Sequence, residues 1–186
     1  MTRRALVALL LLTLIAPVFA HELQANRLTL VLRERHHVSM TFLVSYNEAL
    51  HRALAPQRTY QEFVLEYSAM RPQEFRRRLL GAQAKFEKAT HLGLPDGKEA
   101  AIRGWNWPDP GRVQATLQEL VMQAVVKPGG HPQEAVVEIH VEATTTGDIA
   151  SVSLQLPEEF QPMLVVSYRP SQVWVKAGTP STAITF

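Results

Sequence analysis

The chain has 186 residues, with 19 Lys+Arg against 17 Asp+Glu, a pI near 9.1 and no cysteine. Arg3 and Arg4 lie in an N-terminal segment without acidic residues, so residues 21–186 carry 17 charges of each sign. The basic pI is therefore partly a property of that segment and does not indicate a nucleic-acid-binding protein, and the absence of cysteine excludes disulfides and a lipobox anchor.

Residues 1–20 have the pattern of a cleavable signal peptide. Arg3 and Arg4 form a basic start, Ala5 to Ile15 is apolar apart from Thr13, and Val18 and Ala20 are the small residues at −3 and −1. Cleavage after Ala20 makes His21 the first mature residue. Thr2-Arg3-Arg4 is a short approximation to a twin-arginine signal, but so brief a basic region before so strong an apolar run suits the general secretory route. No later stretch approaches the roughly 20 apolar residues of a spanning helix, and no Asn-x-Ser/Thr acceptor occurs. The expectation is a periplasmic protein with residues 21–186 as one domain.

Leu28, Leu30 and Leu32 alternate with polar or outward positions, as do Val38, Met40, Phe42 and Val44, which predicts two strands. Arg33 to His37 reads as the turn of a hairpin. If Arg35-His36 is a two-residue turn, paired residue numbers sum to 71, and an extended His21 falls opposite Leu50, beside His51. Asn47 is placed to cap a short helix holding Leu50 and Leu54 and ended by Pro56. Thr59 and Glu62 have capping-box spacing for a helix over 60–69. Pro72 suits a first turn, and Phe75, Leu79, Ala82, Phe86 and Ala89 define one face of an amphipathic helix ending near Thr90.

His91 to Leu94 and Glu99 to Arg103 read as strands joined by Pro95-Asp96-Gly97. Asp109-Pro110 opens a second amphipathic helix through Val113, Leu117, Leu120, Val121 and Ala124, stopped by Pro128-Gly129-Gly130. Strands follow at Val137 to Ala143, Val152 to Leu156, Met163 to Tyr168 and Gln172 to Lys176. The order predicts a single α+β domain: N- and C-terminal antiparallel strands form a sheet or sandwich, and amphipathic helices are inserted between them. Phe75, Leu79, Phe86, Val113, Leu117 and Leu120 are the predicted core of those helices, and Arg77 and Lys88 lie on their wet faces.

His21 is the sharpest candidate for chemistry. An N-terminal histidine offers an α-amine and an imidazole to one ion, both of which give up their protons near neutrality. Such a chelate suits copper or nickel, which favour tetragonal nitrogen sites. The hairpin brings His51 to the same end as the second ligand. His36 and His37 lie at the far end of a strand of about 40 Å, at roughly 3.3 Å per residue. Glu138, His140 and Glu142 project from one strand face, read as the solvated side of a half-buried sheet. Trp105 and Trp107, just before a helix cap, read as packing residues. His21-Glu22 begins like a zincin motif, but Ala25 stands where the second histidine belongs. Serine-hydrolase, P-loop and dinucleotide motifs do not occur.

The leader followed by His21-Glu22-Leu23 and the strand Arg27 to Arg33 resembles a loose group of exported bacterial proteins. The group includes small uncharacterised periplasmic proteins and the extracytoplasmic domains of nickel-permease-like hydrogenase and urease accessory proteins. The likeness covers mainly residues 21–46 and Tyr168 to Val175, without the permeases' membrane helices, and it implies a metal-related role. The leading expectation is a non-enzymatic periplasmic accessory protein that binds metal through His21 and His51 and meets an envelope or membrane protein. The alternative is an envelope assembly module using a strand edge or the Trp105/Trp107 region. A third is a copper enzyme with a histidine brace similar to that of lytic polysaccharide monooxygenases, His51 supplying the second histidine.

Overall fold

In the computed structural model, residues 26–126 and 136–170 are described. The leader, His21, the Pro128-Gly129-Gly130 stop and the strand expected over Gln172 to Lys176 lie outside them.

Two strands open the fold, β1 (Asn26–Glu34) and β2 (His37–Ser45), joined at Arg35-His36 as expected. Glu34 does face His37, but from Leu32↔Val38 to Arg27↔Leu43 the paired numbers sum to 70, because the register shifts by one between Leu32 and Glu34. The reason is parity. Cross-strand partners share a face, and a sum of 71 would set inward Leu28 against outward Leu43. The irregularity at Arg33 absorbs one residue and lets Leu28 meet Phe42 and Leu30 meet Met40. All four side chains are buried.

Helix α1 (Tyr46–Leu54) follows β2 directly, so the hairpin does not extend to Leu50. Ser45, not Asn47, holds the N-cap position, and Asn47 lies inside the first turn, buried. Helix α2 (Tyr60–Ser68) starts with the expected capping box: Thr59 Oγ1 accepts the Glu62 N–H, and Glu62 Oε2 accepts the Thr59 N–H at 2.8 Å. The Thr59 N–H, and then the Thr59 hydroxyl, which also donates to Glu62 Oε2 at 2.9 Å, hold the Glu62 carboxyl below the usual carboxylate range. Helix α3 (Pro72–Ala89) buries Phe75, Leu79, Ala82, Gln83 and Phe86. Helix α4 (Pro110–Val126) buries Val113, Gln114, Leu117 and Leu120. Arg77 and Lys88 are exposed, as expected.

The remaining strands are β3 (His91–Gly93), β4 (Ala101–Asn106), β5 (Val136–Thr144), β6 (Ser153–Gln155) and β7 (Met163–Tyr168). One sheet has the order β4-β5-β2-β1-β7, and β3 pairs with β6 separately. Two expectations change here. The C-terminal strand β7 does join β1, but in parallel. The turn Pro95-Asp96-Gly97 forms, with Gly97 at φ +80° and its N–H on the Leu94 carbonyl at 3.0 Å. Yet the two strands flanking it belong to different sheets. The segments meet through the Gly93↔Glu99 bridge, the Ala100 N–H bond to the Leu92 carbonyl, the Leu94 N–H bond to the Lys98 carbonyl and the His91–Glu99 side-chain pair at 3.2 Å.

Inward residues of β1, β2 and β5 join the buried residues of α1 to α4 and Phe160 in one core. A latch between α2 and α4 completes it. The last carbonyls of a helix have no partner within it, and side chains from α4 meet those around the end of α2. Gln114 Nε2 donates to Met70 O at 2.7 Å and to Tyr67 O at 3.4 Å, and Gln118 Nε2 donates to Ser68 O at 3.1 Å. Gln114→Leu keeps the bulk but removes the donor to the Met70 and Tyr67 carbonyls, and is expected to cost about 1–3 kcal/mol. Urea denaturation checks it, and a cost under about 0.5 kcal/mol, typical of a surface change, would contradict the latch.

Candidate functional site

The corner where β1 begins, β2 ends and α1 starts is tied together by one side chain. Asn26 Oδ1 accepts the Ser45 N–H at 2.9 Å, and Asn26 Nδ2 donates to Phe160 O at 2.8 Å. Arg52, on α1, donates from Nη1 to Gln161 O at 2.8 Å and to Glu159 O at 3.2 Å. The described chain thus begins at the end of the sheet from which α1 departs.

His51 stands on α1, half-buried. Its ring meets Phe63 and Tyr60 at centroid distances of 5.4 and 5.7 Å. Nε2 lies 2.7 Å from Arg58 O. A carbonyl only accepts, so the proton of the neutral ring is on Nε2, and Nδ1 carries the lone pair. His21, the other expected ligand, lies outside the described residues.

Glu138, His140 and Glu142 do share the outer face of the sheet, and register adds partners that sequence spacing does not reveal. His140 faces Thr41 and Glu142 faces Ser39 across the β2–β5 pair. His140 Nε2 lies 2.9 Å from Glu138 Oε1, and Thr41 Oγ1 lies 3.2 Å from His140 Nδ1. Glu142 engages His37 Nε2 at 2.7 Å and the Ser39 hydroxyl at 3.2 Å. Each carboxylate therefore has its own local partner. Among the described residues, no group of three or more His, Asp or Glu side chains is arranged to hold a metal ion.

The tryptophans pack, as expected. Gly104, at φ +71°, sits where β4 shifts register against β5, between Arg103↔Glu142 and Asn106↔His140. The extra residue allows Ile102 and Trp105, three apart, both to pack against the core. Trp105 stacks on Phe42 at 5.7 Å and on Trp107 at 5.0 Å, the two indoles within 4° of parallel. Trp107 also meets Tyr46 and Phe86, and its Nε1–H donates to Glu87 Oε1 at 2.7 Å.

Comparison with protein-family models, curated proteins and solved structures gives no match. The chemistry of this protein is therefore read from its own residues. Strand β7, at one edge of the main sheet, exposes Leu164 and Tyr168, and an apolar groove of about 860 Å³ runs beside it, lined by Leu30, Leu32, Leu154 and Val165 among others. None of the helices in the described residues is long and apolar enough to cross a membrane.

Proposed function

We propose that this is an exported, non-enzymatic periplasmic accessory protein that binds copper or nickel through the α-amine and imidazole of His21 together with His51, and exchanges the metal with an envelope or membrane protein. The observation that carries the reading is the setting of His51. Its Nε2–H is engaged by the Arg58 carbonyl, the kind of outer hydrogen bond that fixes tautomer and orientation in metal-ligating histidines. Nδ1 is left as the nitrogen with a lone pair, on a ring braced by Tyr60 and Phe63. The start of β1 lies at the same end of the sheet as α1, which favours a short reach from His21.

Calorimetric titration with Cu(II) and Ni(II) tests the reading on three proteins: one beginning at His21, one extended there by a single Gly, and His51→Ala. The extension separates the α-amine from the His21 imidazole, and His51→Ala removes the second imidazole while keeping a good helix former. Each change is expected to weaken binding by about tenfold or more, at least the loss seen when only an outer-shell partner is removed. Equal affinity in all three proteins overturns the metal reading. It would leave the envelope assembly module, with an extended apolar strand of the partner adding to the β7 edge. N-terminal sequencing of exported protein tests the leader, and a start other than His21 removes the chelate.

A further inference from the structure

A cavity of about 620 Å³ opens between the first turns of α1 and α4 and the ends of β4 and β5. That volume is typical of a small-molecule site. Its apolar wall is Trp107 with Val113 and Val137. The indole is held against Trp105, and its N–H is turned to Glu87, so the ring has a fixed position and its polar edge is already satisfied.

Asn47 lines this cavity and is only 8% exposed, and its side-chain amide has no hydrogen-bond partner among the described residues. Its amide atoms are not among the sealed-off polar atoms of the core, so they face the cavity and are open to a molecule held there. Ser45 makes no side-chain cap bond to α1, whose first two residues, Tyr46 and Asn47, line the cavity, and the acidic residue of that turn, Glu48, is paired with Arg52 at 3.0 Å. The N–H groups of a first turn favour negative charge. Among the described residues, three charged ones also line it. Asp109 Oδ1 accepts the Arg112 N–H at 3.1 Å as the cap of α4, and Glu138 is paired with His140 at 2.9 Å. The Arg112 guanidinium alone has no partner among the described residues. The Tyr46 hydroxyl accepts from Gln83 Nε2 at 3.0 Å, and burial drives its pKa well above the usual phenol range, so it stays neutral.

We propose that this cavity binds a small organic acid, with its carboxylate between Arg112 and Asn47 at the start of α1 and its flat apolar body against Trp107. The unpaired cation and the unpaired amide supply the charge-assisted and neutral hydrogen bonds that a carboxylate accepts, and the indole face supplies the apolar contact. Nothing in this assignment depends on metal binding at His21 and His51.

The full chain, labelled with ¹⁵N, tests it by NMR titration with phenylacetate, with phenylacetamide and with glucose. Phenylacetate is expected to shift the side-chain amide of Asn47 and the indole resonance of Trp107, and to bind at least about tenfold more tightly than the uncharged amide. Arg112→Gln changes an exposed position, and Asn47→Asp is nearly isosteric but repels a carboxylate. Both are expected to lower phenylacetate affinity at least about tenfold while leaving the amide spectrum of the fold intact. Should Asn47→Asp fail to fold, Arg112→Gln still decides. Equal binding of phenylacetate and phenylacetamide, unchanged affinity in Arg112→Gln, tighter binding of glucose, or no binding of phenylacetate overturns the proposal.

Discussion

Replacing Phe42 by alanine is expected to destabilise the protein by about 3–5 kcal/mol, the range for removing a buried aromatic ring. Phe42 is fully buried in β2, opposite Leu28, where the sheet meets the rest of the core. Its ring stacks on Trp105 at 5.7 Å and meets Phe160 at 6.0 Å, so the truncation removes aromatic contacts with two separate segments as well as its own buried area. Trp105 is anchored on one side by Phe42 and on the other by Trp107. The variant should therefore loosen the tryptophan pair, as well as lowering the unfolding midpoint. Urea denaturation measures the cost, and near-ultraviolet circular dichroism reads the indoles. A cost below about 1 kcal/mol would place Phe42 outside the class of large-to-small core substitutions.

Leu117→Ala is expected to cost about 2–5 kcal/mol, the span reflecting how far the surroundings can close over the lost methyl groups. Leu117 is fully buried in the middle of α4 and belongs to the same core as Phe63, Tyr67 and Phe75. Its neighbours in that helix, Gln114 and Gln118, bond to backbone carbonyls at the end of α2. The hydrogen bonds limit the freedom of α4 to move into the cavity, which favours the upper part of the range. Alanine is at least as good a helix former as leucine, so the cost reports packing. Arg77→Ala, on the exposed face of α3, is the control and should stay within about 0.5 kcal/mol. Similar values for the two variants would contradict the burial assignment.

The helices were legible because their signals are local. The 3.6-residue period, the Thr59/Glu62 box and the Asp109-Pro110 start all act within one or two turns, and α2, α3 and α4 begin where these residues place them. The α1 cap was misread for a related reason. Asn47 is a favoured cap residue type, but β2 runs straight into the helix and the cap position falls on Ser45. Burial in that first turn then put the Asn47 amide against the cavity beside Trp107. No sequence rule sees that. Gly104 was a visible signal, since a lone glycine in a strand pattern suggests a bulge, yet its effect on the direction of Trp105 needs the paired strand.

Residue order by itself determined which faces are apolar, where the three later helices start and that strands and helices share one α+β domain, because hydrophobic period and capping are properties of neighbouring residues. Only the tertiary structure decided the register of β1 against β2, the parallel union of β7 with β1, the partners of Glu138, His140 and Glu142, and the convergence of Asn47, Trp107 and Arg112 on one cavity. Apart from the hairpin register and the Glu138–His140 pair, these join residues far apart in the chain. Their meeting is set by the parity of facing strands and by the close packing of a shared core, and neither is written in any local stretch.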